Sequence, residues 1–166
     1  YQAILLGHGQ VELLGVEDIN SRSTISLLES TGPELIVVIG TRKLDKEVFS
    51  SASAGAINMH SGILPFYRGA DSEFWALYNG EKDKIGVTIH FMTEELDAGD
   101  ILLQARQEVD EKDDHKRLRY KNILLGADKM VEAIDLIESG DHKRTRQDEA
   151  HARTYKTATS DDIRKY

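Results

Sequence analysis

The run Leu35-Ile36-Val37-Val38-Ile39 limits the possible folds more than any other stretch of this chain. It is apolar throughout, β-branched at four of its positions, and bounded by Pro33 and Gly40. A run this short, without polar alternation, suits a strand buried on both faces, the pattern of a parallel sheet covered by helices. The sequence around it supplies such elements. Residues 24–30 read as a helix presenting Ile25, Leu27 and Leu28, fed by a loop over 18–21 and stopped by Gly32-Pro33. Before it, residues 1–6 read as a strand or a last helical turn, broken by Gly7-His8-Gly9, and 11–16 as a short strand. After the run come strand candidates at 56–59, 86–92 and 100–109, with a helix at 71–78. Over 115–138 the spacing of Leu118, Ile123, Ala127, Met130, Ile134 and Ile137 predicts a long amphipathic helix ended by Gly140. The expectation is an α/β domain over residues 1–140, with a mostly parallel sheet flanked by helices, and a polar C-terminal tail over 141–166.

Composition removes several function classes. The chain has no cysteine, which excludes disulfides and thiolate metal sites and fits a reducing, cytoplasmic compartment. No apolar run approaches the roughly 18 residues a membrane span needs, and nothing at the start reads as a signal peptide. A formal charge of −8 argues against a surface built to neutralise many phosphates, although one local basic patch is compatible with it. The basic run 142–146 reads as solvated surface. Gly7-His8-Gly9 leaves no room for the helix on which a phosphate would sit, so it is no dinucleotide fingerprint.

Two stretches carry chemistry. Asn58-Met59-His60 closes a strand candidate and is followed by Ser61-Gly62-Ile63-Leu64-Pro65 and Tyr67-Arg68-Gly69. Residues two apart on a strand point to the same face, so Asn58 and His60 stand side by side. A carboxamide and an imidazole so placed can hold an oxyanion together while one of them moves a proton. Asp97 follows the strand at 86–92 in a loop with Gly99, where a carboxylate can turn back toward a neighbouring strand end. Taken singly, each has an ordinary reading: His60 as a packed histidine, Asn58 as a turn residue, Asp97 as a cap or Asx turn. As zinc ligands, one histidine, one aspartate and an amide make a weak set, so no metal is expected.

This constellation resembles the folate-dependent formyltransferases, which include enzymes acting on glycinamide ribonucleotide, methionyl-tRNA and nucleotide-linked amino sugars. Asn58-Met59-His60 matches the family's N-x-H, and Ser61 to Pro65 its S-x-L-P loop, with Ser61-Gly62 in place of a serine pair. Tyr67-Arg68-Gly69 matches its aromatic-basic-glycine turn, and Gly86-Val87-Thr88 with Asp97-Ala98-Gly99 its G-x-T strand and D-x-G loop. The likeness is strongest over 33–103. It implies a Rossmann-like fold and formyl transfer from 10-formyltetrahydrofolate to a primary amine by direct attack, through a tetrahedral intermediate. Asn58 and a charged His60 would hold the oxyanion, and Asp97 would keep His60 protonated and help relay the amine's proton. The pterin would be held by backbone at Arg42, Lys43 and Leu44 and at Thr93, Glu94, Glu95 and Leu96. A small acceptor, first a nucleotide-linked amino sugar, is favoured over tRNA. The alternatives are methionyl-tRNA formylation, a formyltetrahydrofolate hydrolase sharing the triad, and a folate-binding or regulatory remnant. The family's opening βαβ segment is not found, which implies a catalytic domain incomplete at its N-terminus, with roughly 70 to 100 residues upstream.

Other residues keep two readings each. His90 either lines the folate pocket or is an interior or solvent-facing histidine. Ser61 and Thr88 either position His60 or play ordinary turn and strand roles. Arg68 reads best as a salt-bridge partner of a nearby acid, and Trp75 with Tyr78 as core.

Overall fold

A computed structural model describes residues 14–165, so the readings at 1–9 and the start of the 11–16 strand lie outside the described residues. Residues 14–16 form no strand. The chain divides into two compact units between Ala56 and Ile57.

In the first unit, helix α1 (Arg22–Thr31) starts where the Ser21 hydroxyl accepts from the Thr24 N–H. It ends at Gly32, whose left-handed conformation lets its N–H reach the Leu28 carbonyl. Strand β1 (Ile36–Ile39) and the short helix α2 (Lys46–Phe49) follow. Val38 is buried, but Val37 and Ile39 are 40% and 53% exposed. The run expected to be buried on both faces thus alternates. α2 has no counterpart in the sequence reading; four residues are too few to show a helical period.

The second unit is built on β2 (Ala56–His60), β4 (Gly86–Phe91) and β5 (Ile101–Arg106), with β4 in the middle. Both pairings are antiparallel. The parallel sheet expected from the apolar runs is corrected for these strands, while the α/β class stands. All six residues of β4 are buried; such burial reports a strand covered on both faces and carries no information on its direction. The nine-residue turn from β4 to β5 also suits antiparallel neighbours, since parallel ones need a crossover of a dozen residues or more.

Helix α3 (Ser72–Tyr78) matches its expected span, and the long helix α4 (His115–Ser139) is capped by Asp114 and closed by Gly140. Leu77, Ile85 and Leu118 pack around the buried Tyr67 ring. Among the paired aromatics expected in the core, Trp75 is partly buried against Tyr155, whereas Tyr78 is exposed. Residues 141–166 belong with this unit, and part of the stretch is tied down: β6 (Thr154–Tyr155) pairs in parallel with β3 (Arg68–Gly69). No helix among the described residues is long and apolar enough to cross a membrane.

α4 packs across β4 and β5 and approaches β2 so closely at Gly126 that a Cβ there would lie 2.2 Å from the Met59 sulfur. Gly126→Ala therefore sets two effects against each other. Helix propensity favours alanine by about 1 kcal/mol, while overpacking costs roughly 1–3 kcal/mol. Net destabilisation in urea unfolding is expected; a more stable variant would show that the helix is not seated this way.

Candidate active site

The β2–β4 register decides which side chains meet. Asn58 lies opposite His90 and His60 opposite Thr88, on the face away from Ile57 and Met59. Asn58 Nδ2 stands 3.1 Å from His90 Nε2, and His90 Nδ1 stands 2.9 Å from the Phe91 carbonyl. A carbonyl only accepts, so Nδ1 carries the proton and Nε2 accepts from the Asn58 amide. One of the two amide hydrogens of Asn58 is thus used, the amide is oriented, and the other hydrogen is left for a further partner. Asn58 is half-buried, whereas His60, Thr88 and His90 are buried.

His60 is 7% exposed. Its Nε2 lies 2.6 Å from the Tyr67 carbonyl and 3.2 Å from the Ser72 hydroxyl, so Nε2 carries a hydrogen. Its Nδ1 faces Asp97 Oδ2 at 3.4 Å. That same carboxylate oxygen accepts from the Gly69 N–H at 2.8 Å, and Oδ1 lies 3.6 Å from His90 Nε2. Asp97 holds a left-handed backbone, φ 51°, which aspartate tolerates better than most residues. Gly99 brings the loop against β4; a Cβ there would lie 1.8 Å from the Phe91 carbonyl oxygen.

Burial pulls the pKa of His60 below its ordinary value, outweighing the upward pull of Asp97 and of the Tyr67 carbonyl. This direction runs against the expectation that Asp97 keeps His60 charged, although Asp97 itself pulls the pKa upward. In the folded chain His60 is a neutral imidazole with Nε2–H fixed and Nδ1 free, facing a carboxylate. Burial pushes the pKa of Asp97 up, but a protonated His90 or His60 beside it and the Gly69 N–H outweigh that and hold it at about 2. Such a pair is set to receive a proton on Nδ1, because the imidazolium so formed would sit beside a negative charge.

Three side chains left open in the sequence are fixed in ways that support this arrangement. Thr88 donates to the Gly62 carbonyl and accepts from the Leu64 N–H, holding the turn that follows His60. Arg68 pairs with Glu149, as an ion-pair partner should. Ser61 is bonded to Asn122 and Glu73 and makes no contact with His60. Ser72, the Tyr67 carbonyl and the Gly69 N–H also contact the site; the turn Tyr67-Arg68-Gly69 stands out in the sequence, but these contacts of its backbone do not. Backbone groups leave no mark in a sequence, and Ser72 shows only as a helix start.

The remaining predicted positions are placed as follows. Thr93, Glu94, Glu95 and Leu96 form the exposed lead-in to Asp97, with the Thr93 hydroxyl donating to the Glu95 carbonyl. In the first unit Leu44 is buried, the Lys43 carbonyl accepts from the Asn20 side chain, and Arg42 lies near Asp18 on the surface. Among the described residues no group of three or more His, Asp or Glu side chains is arranged to hold a metal ion.

A family model described as formyl transferase matches residues 15–134. The chain belongs to the formyl transferase family. It is 38% identical over 143 residues to a methionyl-tRNA formyltransferase of Anaeromyxobacter sp. (strain K), covering 86% of this chain and 46% of that protein. This member of the family thus spans about half the length of the curated relatives it matches. Among solved structures it resembles the formyltransferase PseJ from Anoxybacillus kamchatkensis, crystallised with UDP-4,6-dideoxy-4-formamido-L-AltNAc and tetrahydrofolate. The TM-score there is 0.68 at 25% identity, over 80% of this chain and 68% of that one. It also resembles HypX from Aquifex aeolicus in complex with tetrahydrofolic acid, with a TM-score of 0.70 at 26% identity, over 83% of this chain and 24% of that one.

The lowered pKa of His60 has a consequence for stability. In the unfolded chain His60 takes a proton near its ordinary value of 6.5, while in the folded chain it resists. Its share of stability is full above 6.5 and falls as pH drops below it. Asp97 contributes above 3.8 and is lost as pH falls toward about 2. Urea unfolding at pH 7.5 and 5.5 should show wild type losing more stability on acidification than His60→Gln; equal losses would contradict the burial.

Proposed function

We propose that this chain carries the catalytic portion of a formyltransferase that moves a formyl group from 10-formyltetrahydrofolate to a primary amine, with methionyl-tRNA as the acceptor. The observation that carries the chemistry is the joint placement of the Asn58 amide and the His60–Asp97 pair at the ends of β2 and β4. The amine nitrogen attacks the formyl carbon, and the carbonyl oxygen takes up the electron pair. The free N–H of Asn58 donates to that oxygen. His60 Nδ1 accepts the proton that the amine sheds, through water, and Asp97 balances the imidazolium. The oxyanion then re-forms the carbonyl as the bond from the formyl carbon to N10 breaks, N10 takes the proton back from the His60 imidazolium through water, and the formamide leaves. The exposed backbone at Thr93–Leu96, which leads into Asp97, is assigned to the pterin.

Support for methionyl-tRNA comes from the curated relatives, which act on that acceptor by name. This differs from the small acceptor favoured by the acidic composition, since a net charge says little about where a few basic residues gather. A nucleotide-linked amino sugar is the second reading, supported by the sugar nucleotide bound in PseJ.

The chain should be assayed with 10-formyltetrahydrofolate alone, with methionyl-tRNA, and with nucleotide-linked amino sugars. Formylation of methionyl-tRNA is expected, with Asn58→Ala slowing it about 100- to 1,000-fold, the usual cost of one oxyanion donor. Formate release without transfer to any amine would replace the transferase by a hydrolase, and an unimpaired Asn58→Ala would remove the oxyanion role.

A further inference from the structure

We propose that Gln147 is a positioning residue for Asp97: it fixes the backbone on both sides of Ala98, and so holds the Asp97 carboxylate against His60. This rests on the reading of Asp97 as the partner of His60 in catalysis. Gln147 lies beyond the residues matched by the family model, in a stretch whose composition reads as a solvated tail. Its side chain is nevertheless 5% exposed. Its single amide nitrogen stands 2.8 Å from the Asp97 carbonyl and 2.7 Å from the Gly99 carbonyl, so each of its two hydrogens has an acceptor. Its oxygen accepts from Arg68, at 3.2 Å from Nε and 2.8 Å from Nη2. Every donor and acceptor capacity directed into the interior is therefore matched.

The geometry gives this clamp a direction. Arg68 is itself 6% exposed and paired with Glu149, so Gln147 is held from behind by a side chain that cannot swing away. The next residue, Gly69, donates its N–H to Asp97 Oδ2. β3 thus grips Asp97 twice, directly at the carboxylate and through Gln147 at the main chain. β3 is in turn registered by β6, Arg68 opposite Thr154 and Gly69 opposite Tyr155. A loop residue with positive φ has few local bonds to keep it in place, and here the distant Gln147 supplies them.

Gln147→Glu tests this with little change of shape. Its carboxylate still accepts from Arg68 but offers no hydrogen to the two carbonyls. Assayed in the full chain for formyl transfer from 10-formyltetrahydrofolate, the variant should lose roughly 10- to 100-fold in kcat, the scale of a misplacement near 1 Å. KM for the donor should stay within about twofold, because Gln147 touches no substrate. Combined with Asp97→Asn, it should add no further loss. A wild-type kcat, or a loss that multiplies with that of Asp97→Asn, would overturn the proposal. Should wild type transfer nothing, the catalytic reading falls, and the ring-nitrogen NMR signals of His60 decide the positioning role alone. Gln147→Glu, measured well below its own unfolding midpoint, should shift them in the sense that Asp97→Asn does, and unshifted signals would overturn it.

Discussion

Taking the Asp97 carboxylate out of water costs several kcal/mol unless partners compensate, and much of the second unit is arranged to supply them. The carboxylate is 9% exposed, with the Gly69 N–H on one oxygen, His60 beside it and His90 within reach of the other. Each partner comes from a different element: Gly69 from β3, His60 from β2, His90 from β4. The Gly69 N–H is the donor in place, and a proton taken up on either facing ring nitrogen, His60 Nδ1 or His90 Nε2, would meet the carboxylate at once. The same constraint makes His60 useful. Burial keeps its imidazole neutral, the Tyr67 carbonyl fixes which nitrogen carries the hydrogen, and the free nitrogen is left facing the one group that stabilises its protonated form.

The antiparallel register of β2 and β4 gives Asn58 a comparable constraint. Opposite His90, its amide has one hydrogen bound and a second left for a further partner. A donor oriented before the substrate arrives needs no reorganisation when charge develops on an oxygen, which is where such groups gain their effect. Asn58 and the His60–Asp97 pair therefore differ in kind. The first is a fixed dipole; the second is a proton site kept in low dielectric.

Much of this was legible in the residues. The N-x-H spacing put Asn58 and His60 on one face because strands have a period of two, and the helices α1 and α4 followed from apolar residues and glycine stops. Strand direction was not legible. The parallel sheet is an expectation from the apolar run at 35–39, and nothing in the β4 residues Gly86-Val87-Thr88-Ile89-His90-Phe91 states the direction of their neighbours. Nor could the sequence show the backbone groups that hold the pair in place, since an N–H like that of Gly69 at Asp97 and a carbonyl like that of Tyr67 at His60 exist at nearly every residue. Gln147 was hidden for another reason. Its neighbours Arg144, Arg146, Asp148 and Glu149 make the stretch read as solvent-facing, and a lone buried glutamine in a charged run has no periodic mark.

The central claim is that His60 and Asp97 work as one unit, a base and the charge that stabilises its protonated form. A double-mutant cycle on formyl transfer tests it most directly, comparing His60→Ala, Asp97→Ala and the pair at one pH. A unit of this kind predicts that the double variant is no slower than the slower single variant, as for groups that act only together. Losses that multiply would mean that the two side chains act independently, and would contradict the reading of the site.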